Sequence, residues 1–162
     1  MGLMPDKRPA AYDSRWVPLL LKYGSRVQVW CYRRTGGRFG GHWRIGAGFR
    51  KPVPVLLLEH VGRKSGRRFT TPLLYLVHGD ALVVVASQGG LPKHPQWYRN
   101  LMASPETEVQ VRSDVIAVRA RRAGTEEKAV LWPRLVDLYA DFATYQEWAG
   151  DREIPVVVLE RR

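Results

Sequence analysis

Gly62-Arg63-Lys64-Ser65-Gly66-Arg67-Arg68 is a glycine-bounded basic turn set between two apolar runs, Val55-Leu56-Leu57-Leu58 and Thr70-Thr71-Pro72-Leu73-Leu74-Tyr75-Leu76. Both runs read as strands, and so short a connection makes them antiparallel neighbours. The pattern recurs. Short apolar segments at about 53–61, 68–78, 81–87, 107–112, 115–122 and 154–160 are punctuated by the turn signals His78-Gly79-Asp80 and Ser113-Asp114. Helical spacing fills two inserts: 94–103, with Pro95 suited to a first turn, and 125–139, whose Thr125-Glu126-Glu127-Lys128 opening resembles an N-cap followed by acids. Six short strands with inserted helices imply an α+β, mainly β chain, folded as a small closed or half-open barrel of mostly antiparallel strands.

The first third of the chain differs in kind. Residues 1–13 carry Pro5, Pro9 and mixed charge without periodicity and read as a loose tail. Ser14 is placed to cap a helix running to about Arg34. On it Trp16, Leu20, Tyr23, Val27 and Trp30 form one stripe, and Arg15, Lys22, Arg26 and Arg33 a neighbouring one. Such a basic amphipathic helix either packs its stripe on the domain with its cations snorkelling to water, or lies on an anionic lipid surface. The glycine-rich stretch 35–48 reads as a linker or a flexible lid. We therefore divide the chain into a basic helix and linker, 1–50, and a barrel domain, 51–162.

Charge supports that division. Of the net +11, residues 1–51 hold 11 Lys/Arg against 2 acids, and residues 52–162 hold 15 against 13. The excess belongs to an N-terminal appendage with its own anionic surface to meet. A chain of 162 residues buries roughly two-thirds of its unfolded surface as one domain and needs no disulfides. Its single cysteine, Cys31, suits a reducing cytoplasm. The longest apolar run, 81–86, is far short of the roughly 20 residues of a membrane span. A cytoplasmic protein follows, with peripheral contact at the inner face of the membrane through residues 14–34 as the added expectation.

Two readings fit the basic turn: a hairpin decorated with solvated charge, or an anion dock in which Arg63 and Lys64 meet free backbone N–H groups. It is not a P-loop, because the required glycine and lysine spacing is missing. Two further segments carry chemical potential. Ala86-Ser87-Gln88-Gly89-Gly90 ends a strand in paired glycines, where backbone approaches a flat ligand closely. Pro92–Leu101 crowds Lys93, Gln96, Trp97, Tyr98, Arg99 and Asn100 onto a helix start, with Trp97 suited to the core. Tyr139, Phe142, Tyr145 and Trp148 recur every three residues, enough to line a pocket wall or to fill a core. His42, His60, His78 and His94 share no metal-ligand spacing, and no nucleophile–base arrangement is suggested. Any enzyme here would therefore rely on an organic cofactor.

Taken in order, Gly-Arg-Lys-Ser-Gly at 62–66, Pro72, Ala-Ser-x-Gly-Gly at 86–90 and Pro-x-Trp-Tyr-x-Asn-Leu at 95–101 resemble the deazaflavin-dependent nitroreductase family of actinobacteria. The likeness extends to Tyr32-Arg33-Arg34, Trp132-Pro133, Tyr145-Gln146-x-Trp148 and Ile154-Pro155-Val156-Val157-Val158. It implies a split β-barrel that binds coenzyme F420, an 8-hydroxy-5-deazaflavin reduced by a separate dehydrogenase, and passes a hydride to a quinone such as menaquinone. By resemblance Arg63, Lys64 and Ser65 hold the phosphate. Phe69, Thr70, Thr71, Pro72, Leu73 and Leu74 border the ring with Val85, Ala86, Ser87 and Gln88, and Gln96, Trp97, Tyr98, Arg99 and Asn100 close the groove. Phe142 joins the cofactor side, while Ser87, Tyr139 and Tyr145 donate hydrogen bonds to the acceptor. The family often carries lysine at 88 and tyrosine at 74 and 142, so nitroimidazole reduction is less expected than cofactor binding. The competing readings are a non-catalytic barrel carrying F420, FMN or haem, and a basic nucleic-acid binder. The latter is disfavoured because the charge excess lies outside the barrel.

Overall fold

A computed structural model describes residues 16–43 and 52–162. Helix α1 (Trp16–Thr35) leads to a two-residue strand, β1 (His42–Trp43), and then to β2 (Val53–Val61), β3 (Arg68–His78) and β4 (Ala81–Val85). After a single 3₁₀ turn at Gln88–Gly90 come α2 (Gln96–Ala103), β5 (Glu106–Val111), β6 (Asp114–Arg122), α3 (Thr125–Leu138), α4 (Asp141–Trp148) and β7 (Val156–Arg161). The sheet order is β1-β2-β3-β4-β7-β6-β5, and β2 also pairs with β5 through Leu57↔Gln110 and Leu58↔Val109. That last pairing closes a six-stranded antiparallel barrel, so the closed form of the expected fold is the one adopted.

Side-chain alternation divides the strands between two cores. Leu56, Leu58, Leu82, Val84, Val109, Val118, Val157 and Leu159 meet inside the barrel, whose end is plugged by Trp97, Tyr98 and Leu101 of α2. The opposite parity, Val83, Val85, Val156 and Val158, faces outward and is covered by Leu131, Leu135, Tyr139, Phe142 and Tyr145 of the α3–α4 region. Strand β3 is the exception. It is hydrogen-bonded to β2 and β4, yet none of its eleven residues is fully buried.

Several boundaries differ from the sequence reading for local reasons. Strand β4 ends at Val85 because the chain turns into three successive left-handed residues, Gln88, Gly89 and Gly90. Pro95 is the extended N-cap of α2 rather than part of its first turn, and Gly124 caps α3. The aromatic stripe beyond Tyr139 belongs to α4, whose eight residues are too few to give a clear helical period.

Helix α1 packs a different face from the one its apolar stripe suggests. Tyr32 is 1% exposed, its hydroxyl donating to the Val55 carbonyl (2.9 Å) and accepting from the Arg112 amide (2.7 Å). Tyr23, Val27 and Trp30 face solvent, Trp30 at 64% exposure, and Phe39 beyond the helix end is exposed as well. Arg26 and Arg34 lie over the Tyr23 and Trp30 rings. The expected cap at Ser14 and the tail before it lie outside the described residues, as do residues 44–48 of the expected linker or lid; its first part is a run of turns that ends in β1, paired with β2.

Candidate cofactor-binding and active site

The basic turn is tied down at its base. Gly62 N–H donates to the Arg67 carbonyl and Gly66 N–H to the Gly62 carbonyl, both at 2.8 Å. A Cβ on Gly62 would stand 2.5 Å from Ser65 Oγ and 2.9 Å from the Phe69 ring, so only glycine lets the turn close this tightly. Ser65 Oγ accepts from the Arg67 amide, which orients the hydroxyl within the turn. Arg63 reaches across to α2: Nη1 donates to Gln96 Oε1 (2.8 Å) and Asn100 Oδ1 (3.3 Å), and its amide donates to the same Oδ1 (3.2 Å). Lys64, Arg67 and Arg68 are exposed beside it. Four cations on one fixed turn form a donor set suited to a phosphate and carboxylates.

Strand β3 leads from this turn toward the aromatic wall. The six steps from Arg68 to Leu74 span about 20 Å at about 3.3 Å per residue. Thr70 and Thr71 send their hydroxyls to opposite sides: Thr70 bonds Glu59 (2.8 Å) and Arg33 (2.9 Å), and Thr71 bonds His60 Nε2 (3.0 Å). Leu74 packs with the Tyr139 cluster and Leu73 with the barrel interior. Phe69 is exposed and stacks on His60 with ring centroids 5.6 Å apart.

At the far end, Tyr139 and Tyr145 bring their hydroxyls to 3.3 Å in a buried pair, and Phe142 packs edge-on against both rings. The loop carrying Ser87 touches this wall. A Cβ on Gly90 would stand 2.7 Å from both Trp148 Cβ and the Tyr145 carbonyl, so the second of the paired glycines admits α4 rather than leaving an open gap. The Gln88 amide, with its NH₂ toward the neighbouring carbonyls, stands 3.3 Å from Lys93 O and 3.2 Å from His94 O, so it braces the loop. Trp97 and Tyr98 sit in the barrel core; Gln96 and Arg99 are exposed at the helix start.

The family model for F420H(2)-dependent quinone reductases matches residues 24–161. The chain belongs to the F420H(2)-dependent quinone reductase family. An F420H(2)-dependent quinone reductase of Mycobacterium tuberculosis is 40% identical over 133 residues, covering 81% of this chain and 85% of the relative. A second M. tuberculosis protein, whose name assigns it provisionally to the same activity, is 55% identical over 119 residues, 74% of this chain and 99% of its own. Among solved structures, an F420-H2 dependent reductase superposes with a TM-score of 0.61 at 38% identity, over 66% of this chain and 94% of that one.

One residue of this quinone reductase family member escaped the sequence reading. Arg152, in the connection between α4 and β7, donates to the carbonyls of Ser87 (2.7 Å), Leu91 (2.9 Å) and Ala86 (3.3 Å) and to His94 Nδ1 (3.2 Å). Burial lowers the pKa of its guanidinium and that of His94, the latter further depressed by Arg152 itself. Nothing around Arg152 in sequence marks it, since its partners lie about 60 residues away. His60, expected as a hydrogen-bonded residue at a strand end, bonds Thr71 and Asn100 there, but it is buried at 7% exposure rather than lying at an open edge. Among the described residues no group of His, Cys, Asp or Glu forms a metal site.

Proposed function

We propose that this protein reduces a quinone, menaquinone-like in class, or another small electron-poor acceptor with the hydride of reduced coenzyme F420, itself regenerated by a separate dehydrogenase. The observation that carries this reading is the incompletely buried β3, which runs from a fixed cationic turn to a wall with paired tyrosine hydroxyls. That span suits a ligand with an anionic tail and a flat ring. The family membership and the names of the relatives support the same chemistry.

The coenzyme supplies the hydride at its deazaflavin C5, and the protein's residues supply position and polarity. Arg63, Lys64 and Ser65 bind the phosphate and acidic tail. Thr70 to Leu74, with the Val85–Gln88 backbone, border the ring. Packing of Tyr139, Phe142 and Tyr145 over the outer sheet face excludes water from the acceptor side. Ser87, Tyr139 and Tyr145 donate hydrogen bonds to the oxygen on which charge develops. Phe142 has no hydroxyl and contributes only shape.

Reoxidation of reduced F420, followed anaerobically with and without a menaquinone analogue, tests this function. Quinone-dependent reoxidation is expected. Tight coenzyme binding without turnover would make the protein a carrier instead.

We further assign the exposed Tyr23–Val27–Trp30 face of α1 to the surface of an anionic membrane, where a lipid-borne quinone resides. Its apolar side chains flanked by Arg26 and Arg34 are the composition such a surface attracts. No helix among the described residues is long and apolar enough to cross a membrane, so the contact proposed is peripheral. Sedimentation with anionic vesicles, lost in Val27→Asp and Trp30→Ser, checks it.

A further inference from the structure

A buried polar chain links the basic turn to the barrel, and its orientation is fixed by logic rather than by choice. Asn100, 5% exposed, has two donors aimed at its Oδ1: the Arg63 amide at 3.2 Å and Arg63 Nη1 at 3.3 Å. Neither can accept a hydrogen bond, so Oδ1 must face Arg63 and Nδ2 must face the other way. Nδ2 then meets His60 Nδ1 at 3.1 Å. That nitrogen has to be an acceptor, which places the ring proton on Nε2, where it donates to Thr71 Oγ1 at 3.0 Å. A neutral imidazole of one tautomer is the only form that satisfies every partner.

We propose that His60 is a positioning residue for the anion-binding turn: its neutral ring holds the Asn100 amide so that Oδ1 anchors Arg63 toward the coenzyme's charged tail. This rests on the reading of Arg63 as a tail ligand and deepens it. Protonating His60 puts an N–H at Nδ1 against the Asn100 NH₂. Either that contact opens, or the amide rotates and sets its NH₂ against the Arg63 amide and guanidinium, donor against donor. In the first case the amide is no longer held in place and in the second its bonds to Arg63 are lost, so Arg63 keeps Gln96 Oε1 as its one firm partner. Anion recognition by the turn is therefore coupled to a histidine that need not touch the ligand.

The surroundings favour the neutral ring at neutral pH. Burial is the dominant influence and lowers the pKa, with Glu59 on the same strand opposing it. The cleft of about 340 Å³ that His60 lines also presents Arg68 of β3, Glu106 and Glu108 of β5, and Arg162 beyond β7. From the turn comes Arg63, and from α2 the neutral Asn100, its neighbour Arg99 being exposed. Acid and basic groups around the ring are nearly balanced, which leaves desolvation to decide.

Two ligands separate the possibilities: oxidised F420, and the same deazaflavin lacking phosphate and glutamyl tail. Their dissociation constants are measured between about pH 7.5 and about pH 5, a window in which histidine titrates while the tail stays ionised. Ring ionisation, common to both ligands, cancels in the ratio. The tailed ligand's advantage should fall about tenfold as His60 protonates, the scale of one hydrogen bond to a charged group. In His60→Gln, which keeps an amide at that position but cannot titrate, the ratio should be flat. Nitrogen-15 shifts of His60 in the wild type should show Nε2–H at neutral pH and give the midpoint directly, independent of any variant's folding. A constant advantage across the His60 titration, or a proton on Nδ1, would overturn the proposal. Equal affinity of the two ligands at every pH would instead overturn the assignment of the turn as the tail site, and this inference with it.

Discussion

The guanidinium of Arg152 donates to the carbonyl of Ser87 over 2.7 Å, joining the connection before the last strand to a loop 65 residues earlier. The same group holds the carbonyls of Ala86 and Leu91. One side chain thus fixes both ends of the loop that offers Ser87 to the acceptor. Replacing it with methionine keeps much of the bulk and removes a donor from three carbonyls, of which that of Ser87 keeps the Gly90 amide. We expect Arg152→Met to cost about 2–3 kcal/mol in urea unfolding and to lower quinone reduction more than coenzyme affinity. Arg152→Lys should recover only part, because a point charge cannot reproduce the planar fork.

The turn should act as an anion site. Arg63→Ala with Lys64→Ala is expected to weaken F420 binding at least tenfold, the scale of one lost charge-assisted contact, and to reduce the salt dependence of the dissociation constant measured by fluorescence titration. Unchanged affinity would remove the basis of the proposed function.

Hydroxyls at the acceptor end are expected to matter for turnover and not for coenzyme binding. Tyr145→Phe and Ser87→Ala should each lower kcat, by up to about a hundredfold for a donor aimed at developing charge, with the F420 dissociation constant held within about twofold, less than 1.4 kcal/mol. Single-turnover anaerobic kinetics separates the two quantities. If neither substitution slows the hydride step, these roles are misassigned.

Gly90 and Gly66 offer a paired test of backbone against contact. Both have positive φ, 73° and 66°. A Cβ at Gly66 meets nothing within 4 Å, whereas at Gly90 it collides with Trp148 and Tyr145 at 2.7 Å. Gly66→Ala should therefore cost about 1–2 kcal/mol for the left-handed conformation alone. Gly90→Ala should cost that and a further 1–3 kcal/mol or so of overpacking, together with altered near-ultraviolet circular dichroism from the aromatic wall.

Acid should destabilise the fold through two histidines. Burial depresses the pKa of both His60 and His94 below the unfolded value of 6.5. Between the folded and unfolded values the unfolded chain binds more protons, so stability rises with pH and is lost as pH falls below about 6.5. Thermal melts in that window should shift downward with acid, and His60→Gln should remove part of the slope. Glu127 and Glu153 are also depressed, by hydrogen bonds from Arg121 and Lys128 respectively, and would contribute only below their ordinary value of 4.5. Their partial exposure keeps that contribution small.

Much of the barrel was legible because strands announce themselves locally. The runs around Leu56, Leu73 and Val83 and the short turns between them specify three neighbouring strands without reference to anything distant. The helix at 125–138 is equally local. Its neighbour α4 was not, since eight residues hold too few turns for an apolar period to stand out, and the recurrence of Tyr139, Phe142, Tyr145 and Trp148 fits a wall or a core equally well. In α1, periodicity found the Tyr23–Val27–Trp30 stripe but not its direction. Tyr32 takes the buried position because its hydroxyl satisfies Val55 and Arg112, a gain no local pattern reveals.

Sequence by itself determined the six barrel strands, the hairpins, the cationic turn and, through ordered motifs, the family. Those are properties of neighbouring residues, set by side-chain parity and by turn chemistry. Tertiary structure alone decided that β2 meets β5 to close the barrel, that His60 is buried beneath α2 with a single allowed tautomer, and that Arg152 clamps the Ser87 loop. Each of these depends on partners 40 or more residues apart, and such pairings arise only once the whole chain has packed and every buried donor has had to find an acceptor.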